Sequence, residues 1–411
     1  MASNICAAPN VAPTIAPRRR SYSQSRFISV LMLLCLALIQ PVMASSMRIG
    51  VMTMQPGEIF WERFGHNSII IDDGEQAISY NFGFFDPTEA DFAANFIKGR
   101  MNYILAALPL EQDLSYYRQT GRGVSIQWLN LTEPQKQRIN TRLQFLAKPE
   151  NARYRYDYFA NNCATQVRDI LDGALSGELK NQLTASSLGN TYRSETVRLS
   201  WPAKWMALGA DILLSGNADK PLSKWQDAFI PMLLQQSLAQ VMLRNGQPLV
   251  TENQNILTHR LTQPPSELPQ WPLMAMAIGL ALAGMFAWAK RKPRILQLMT
   301  LCFWLVSGLL GTVMLLAWIA TEHVFTHGNE NILLFSPLAW LAFALYFVKD
   351  KTKNLANAYQ LTLLLLAGMA VLAVLLKLLS FSAQQNMNWI LITLPLHWMI
   401  IRHARLPQSQ K

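Results

Sequence analysis

The feature that most constrains this chain is a set of five apolar runs in its C-terminal third, at about 271–289, 295–320, 331–348, 358–381 and 388–401. Four are long enough for a helix to cross a bilayer core of about 30 Å, and the last is short, as in a tilted or re-entrant segment. The charges between them alternate. Lys290-Arg291-Lys292-Pro293-Arg294, Lys349-Asp350-Lys351-Thr352-Lys353 and the tail Arg402-His403-Ala404-Arg405 are basic, whereas 321–330 and 382–387 contain no Lys or Arg. The positive-inside rule then predicts five spans over 271–411, a cytoplasmic C-terminus, and residues 45–270 outside.

The N-terminus agrees with an exported domain. Residues 18–26 are basic, 27–41 form an apolar core of signal-peptide length, and Val42-Met43-Ala44 offers a small-residue cleavage site. Residues 1–44 are therefore expected to be a signal peptide or a retained anchor. No cysteine follows the apolar core where a lipid-attachment site would need one.

Residues 45–200 read as one small domain of mixed strand and helix, large enough to bury its own core. MRIGVMTM (47–54) is strand-like, and FGHNSIIIDDGEQAISYNFG (64–83) has two β-rich runs flanking Asp72-Asp73-Gly74-Glu75. That turn signal predicts a hairpin. With the turn centred on Asp73 and Gly74, Ile71 pairs with Gln76 and His66 lies opposite Asn81; a three-residue turn or a bulge moves the partner to Tyr80 or Phe82. Further on, DFAANFIKGRMNYILAALPL passes from helix to strand. LTEPQKQRINTRLQFLAKP is a helix capped by Thr132 that stops before Pro149.

Cys163 is the only cysteine between residues 45 and 270, the others being Cys6, Cys35 and Cys302. An unpaired thiol in an oxidising compartment is a liability unless its reactivity is used. Asn161-Asn162 are good capping residues, and Val167, Ile170 and Leu171 recur at helical spacing after them. Cys163 is thus expected in the first turn of a helix, where free N–H groups and the macrodipole favour a thiolate. His66 is the only histidine of residues 45–200. A lone histidine on a strand is more often structural than catalytic, but a lone cysteine at a helix start in the same domain reverses that weighting. Cys163, His66 and Asn81 are the candidate catalytic residues, with Asn81 orienting the imidazole.

Other chemistries find little support. No CxxC or HExxH spacing, phosphate loop, dinucleotide motif or GxSxG elbow occurs, so no metal and no cofactor is expected. The net charge of +11 does not imply nucleic acid, because many of the basic residues flank membrane segments or lie in the targeting segment. Residues 201–270 are irregular and tryptophan-bearing, and read as a linker or as interfacial helices. In the outer loop, Glu322, His323 and His327 suit a hydrated connection, a head-group contact or a completion of the site. Lys377 is expected to snorkel or to meet an anionic head group, and Asn386 and Asn388 to sit at the interface.

A His in a GHxxI-type strand followed much later by Asn-Cys at a helix start resembles the circularly permuted papain-like (NlpC-like) group. More specifically, FGHNSIII, SYNFGFFDP, KGRMNYIL and YRYDYFANNCATQVRD, in that order, are similar to the Lnb N-terminal periplasmic domain family over roughly 47–195. The resemblance implies an α+β permuted papain-like periplasmic domain followed by about five membrane helices. It maps Cys163 and His66 onto the Cys-His pair of a lipoprotein N-acyltransferase branch, with Asn81 in the Asn-Tyr/Phe-Gly motif. The implied protein is a multi-pass bacterial inner-membrane acyltransferase with phospholipid and lipoprotein substrates. Two rivals keep the same residues: a cysteine hydrolase of peptidoglycan peptides, and a non-catalytic membrane binding module.

Overall fold

The computed structural model describes residues 47–379 and 382–404, so the expected targeting segment lies outside the described residues. Seven strands form one antiparallel sheet: β1 Arg48–Met54, β2 His66–Asp72, β3 Ala77–Phe84, β4 Asn102–Pro109, β5 Val124–Leu129, β6 Arg153–Arg155 and β7 Val250–Leu257. Their order across the sheet is β6-β4-β3-β2-β1-β5-β7. Between and after them run the helices α1 Phe92–Lys98, α2 Leu110–Thr120, α3 Glu133–Leu146, α4 Cys163–Ala174, α5 Glu178–Thr184, α6 Tyr192–Ser200, α7 Lys204–Leu213, α8 Lys224–Asp227 and α9 Pro231–Leu238. The C-terminal region holds α10 Pro272–Ala289, α11 Pro293–Ile319, α12 Ala339–Tyr346, α13 Lys353–Leu376 and α14 Met387–Ala404.

Side chains alternate across a strand, and the sheet uses both of its faces. Ile49, Val51, Ile69, Ile71 and Phe82 pack with Ile139 and Leu143 of α3, Val167 and Leu171 of α4, and Leu234 and Leu238 of α9. Met52, Met54, Ile70, Ile126 and Trp128 pack on the opposite side with Leu114 and Tyr117 of α2. Helix α4 is there because Ala164, Val167, Leu171 and Ala174 repeat at steps of three and four, which gives it one buried stripe. Helix α3 begins as its sequence signals, with a Thr132–Gln135 capping box and Pro134 in its first turn.

Two expectations are affected here. Residues 201–270 are not a linker: β7 pairs with β5, and Ala228, Leu234, Leu238, Val241 and Leu249 are fully buried in the main core. The sheet therefore closes only with a strand that follows the expected domain boundary at 200 by some fifty residues. The five-span reading is met only in part, because among the described residues three helices, α10, α11 and α13, are long and apolar enough to cross a membrane. The run 331–348 is broken: it carries a 3₁₀ turn at Glu330–Leu333, the Ser336-Pro337 step, and then only the eight residues of α12. The break packs against Gly311 of α11, where a Cβ would stand 2.4 Å from the carbonyl oxygen of Phe335.

The outer loop 320–336 joins the sheet domain to these helices. Glu322 pairs with Arg100 at 2.6 Å and Arg155 at 2.5 Å, and the His323 Nε2 lies 3.2 Å from the carbonyl of Phe96. The Phe325 ring packs on Phe159 and Tyr192, and its carbonyl accepts from the N–H of Ser215 at 2.7 Å. His327 is turned back on its own loop, bonded to the Thr321 carbonyl. Lys377, expected to snorkel or to meet an anionic head group, is held by Glu330 at 2.6 Å and the Gln384 carbonyl at 2.7 Å. Asn386, expected at the interface, is buried and donates to Asn331 Oδ1 at 2.9 Å.

Candidate active site at the end of β2 and β3

The β2–β3 turn has four residues, Asp73–Gln76, closed by the Asp73 N–H donating to the Gln76 carbonyl. The carboxylates of Asp72 and Asp73 accept from the N–H groups of Gly74, Glu75 and Gln76, so the aspartates themselves lengthen the turn. Ile71 consequently pairs with Ile78, and Asn81 lies opposite Ser68 rather than His66. The expected register is wrong by two residues. Because the side-chain period of a strand is also two, the slip keeps Asn81 on the face of His66 and makes the two diagonal neighbours.

His66 Nε2 stands 3.1 Å from Asn81 Oδ1. The amide of Asn81 has only one workable orientation, since its Nδ2 donates to Asp113 Oδ2 and Ser79 Oγ, both at 2.9 Å. Ser79 Oγ also donates to Asp113 Oδ2 at 2.7 Å. With Oδ1 turned to the imidazole, Nε2 must carry the proton, which leaves Nδ1 as the basic atom. Asp113, from α2, was not singled out in the sequence. It is 4 % exposed, and burial pushes its carboxyl above the usual range despite the bonds from Ser79 and Asn81.

Cys163 is the first residue of α4, as expected. Asn162 caps the helix, with Oδ1 accepting from the Thr165 N–H at 3.0 Å and the Thr165 hydroxyl accepting from the Asn162 N–H at 2.8 Å. The other end of the Asn162 amide ties the turn to the carbonyls of Tyr158 and Phe229, both at 2.9 Å. The described β2–β3 pairing runs only as far as Ser68 and Asn81, so the Asn67 N–H is free of that ladder and turns to the thiol. The N–H groups of Cys163 and Ala164 also face the sulfur. The thiol therefore meets the backbone of β2 at the residue that follows His66. On the other side, Gly83 bulges out of β3 with φ +97°, and a Cβ there would stand 3.9 Å from Cys163 Cβ and from the Tyr154 hydroxyl. That hydroxyl is buried and has no hydrogen-bond partner among the described residues.

The electrostatics depart from the thiolate expected at a helix N-terminus. Burial pushes the Cys163 thiol up, outweighing the three backbone N–H groups and the Arg122 guanidinium that favour the anion. The same burial, with Arg122 second, lowers His66 from 6.5 to about 4, while its bond to Asn81 pulls the other way. Both groups are therefore neutral at neutral pH, the thiol raised and the imidazole lowered by burial. Arg122 is itself 3 % exposed and is held by Glu62 at 3.2 Å. Among the described residues no three His, Cys, Asp or Glu side chains converge as metal ligands would.

Residues 39–200 match the Lnb N-terminal periplasmic domain, and residues 267–408 match the Lnb transmembrane domain. The chain belongs to the Lnb family. It is a membrane protein whose N-terminal sheet domain is periplasmic and whose C-terminal region is helical. No curated protein and no solved structure matches it. The geometry above gives the Lnb periplasmic domain of this chain four polar side chains in series, His66, Asn81, Ser79 and Asp113, at the end of the sheet where α4 begins. The sequence signal for Asp113 was weak: an acidic residue in the first turn of α2 is ordinarily a solvated partner for the helix dipole.

Proposed function

We propose that this Lnb-family protein is an inner-membrane thiol acyltransferase that moves an acyl chain from a phospholipid ester to the amine of a lipoprotein N-terminus. The observation that carries this reading is the Asp113–Asn81–His66 series, which fixes the imidazole with Nδ1 unprotonated on the strand whose Asn67 N–H meets the Cys163 thiol. In this mechanism His66 Nδ1 takes the thiol proton as sulfur attacks the ester carbonyl. A C–S bond forms, the C–O bond breaks, and the proton leaves with the lysophospholipid alcohol. The incoming amine then forms a C–N bond, the C–S bond breaks, and the amine proton passes through His66 back to the thiolate. The N–H groups of Asn67, Cys163 and Ala164 are suited to hold the oxyanion of each tetrahedral intermediate. A neutral imidazole acting in concert with attack makes a preformed ion pair unnecessary.

The permuted papain-like architecture belongs to the same proposal, with histidine on an early strand and cysteine on a later helix. So do five crossings and a cytoplasmic C-terminus. The pairing of Lys377, after the end of α13, with Glu330, soon after the end of α11, puts those two helix ends on one side. Both helices then run in the same direction, which supports a return of the chain across the bilayer through the broken segment with α12. Lipid substrates give a reason for a thiol domain to be clamped onto so much membrane.

The test is mass spectrometry of lipoprotein N-termini in cells lacking any other N-acyltransferase. Expression of the protein should add an amide-linked acyl chain, and Cys163→Ala should abolish it at equal protein abundance. Full activity of Cys163→Ala would sink the acyltransferase reading and favour a binding module.

A further inference from the structure

The turn between β1 and β2 is built with its polarity reversed. Glu62 is 7 % exposed, paired with Arg122 and accepting from the Tyr116 hydroxyl, whereas Ile59, Phe60 and Trp61 beside it are 44 %, 40 % and 60 % exposed. The turn is pinned by its own backbone, with Gly57 and Gly65 both donating to the Glu62 carbonyl. Large apolar side chains held outward on a rigid turn mark a contact surface. A second element shares it. Trp205 is 71 % exposed and Leu208 37 %, one helical step apart on α7, and the Phe60 ring stacks on Trp205 with centroids 6.3 Å apart.

What covers this surface is indicated by where α7 goes. At its far end Ile212 and Leu213 pack with Met314 of α11, Leu334, and Ala370 of α13. The Ile212 carbonyl accepts from Asn329 at 2.8 Å and Asn331 at 2.9 Å. One helix of ten residues, about 15 Å, thus joins the aromatic rim to the outer ends of the spanning helices. At the start of α7, Lys204 Nζ lies 3.7 Å from the Trp201 ring centroid. A lysine with two tryptophans is the chemistry of the lipid head-group level.

We propose that Phe60, Trp61, Trp205 and Leu208 form a lipid-binding rim that seats in the outer face of the bilayer and admits the phospholipid ester to Cys163. The entrance role rests on the acyltransferase reading; the seating in lipid does not. The rim lies close to the chemistry: the Trp61 ring packs edge-on against Phe85 with centroids 5.7 Å apart, and Gly83, two residues before Phe85, is where a Cβ would stand 3.9 Å from Cys163 Cβ.

The experiment uses the full chain in nanodiscs of phosphatidylethanolamine and phosphatidylglycerol, with and without brominated acyl chains. The emission lost on Trp61→Phe, and separately on Trp205→Phe, reports each indole. Both should be strongly quenched by brominated lipid; equal emission in the two discs would overturn the rim. A Phe60→Ser/Trp61→Ser variant should transfer acyl chains from bilayer phospholipid about tenfold more slowly, since interfacial binding scales with buried apolar area. Its Cys163 should alkylate at the parent rate, which reports an intact site. Quenching without any acyl transfer by the parent would leave the rim standing and remove the acyltransferase. Transfer without quenching would do the reverse.

Discussion

Asn81 and Asp113 are joined by a 2.9 Å hydrogen bond from amide to carboxylate, and that bond decides which end of the Asn81 side chain His66 meets. A carboxylate acts here at second remove, setting the tautomer of a base it does not touch. Asp113→Asn should therefore be damaging although it is nearly isosteric. Its amide can offer an NH₂ to Asn81, turn that side chain over, and present a donor to Nε2. Losing one oriented hydrogen bond of about 1–3 kcal/mol corresponds to about 5- to 150-fold in rate. Steady-state acyl transfer by Asp113→Asn and Asn81→Ala measures it, and wild-type rates in both would remove the relay.

The pH dependence of Cys163 alkylation follows from the two neutral partners. His66 is uncharged above about pH 4, and the thiol is protonated through neutrality because burial raises it. Iodoacetamide should react slowly at pH 6–7 and progressively faster above the ordinary thiol range, with no acid plateau. A plateau between pH 5 and 7, lost in His66→Ala, would reveal a resting thiolate–imidazolium pair and contradict this site.

Burial of neutral His66 also couples stability to acid. The folded-state value of about 4 lies below the unfolded 6.5, so the unfolded chain binds more protons between those limits. The contribution is fully present above about pH 6.5 and is lost as pH falls toward about 4, on the order of 3 kcal/mol in total. Thermal unfolding of the full-length protein should show a Tm falling across that window, and His66→Gln should flatten the fall. An unchanged slope in the variant would place the acid sensitivity elsewhere.

Arg193 is 2 % exposed and binds Asp219, Asp211 and the Leu214 carbonyl, next to the point where Gln385 and Trp389 of the membrane region meet those same aspartates. Arg193→Ala would strand two buried carboxylates, a loss of about 3–5 kcal/mol. Limited proteolysis of membranes should show accelerated cleavage between the sheet domain and α10. Protection equal to the parent would mean that the joint depends on other contacts.

Much of the molecule was legible in residues taken one segment at a time. The capping of α4 by Asn162, the stop of α3 before Pro149 and the long apolar helices are local: each depends on neighbours within a turn, where propensity and period act. The pairing of His66 with Asn81 also survived its mistaken register, because a two-residue slip preserves the face of a strand. Tertiary structure decided the rest. Asp113 joins the site only because α2 packs on β3, and no spacing in the chain relates it to His66. Strand β7 is polar and follows three short helices that carry no strand signal, so its place beside β5 comes from the open sheet edge it covers. The state of the thiol was decided the same way: a helix N-terminus is visible in sequence, but the burial that overrides it is a property of everything packed around Cys163.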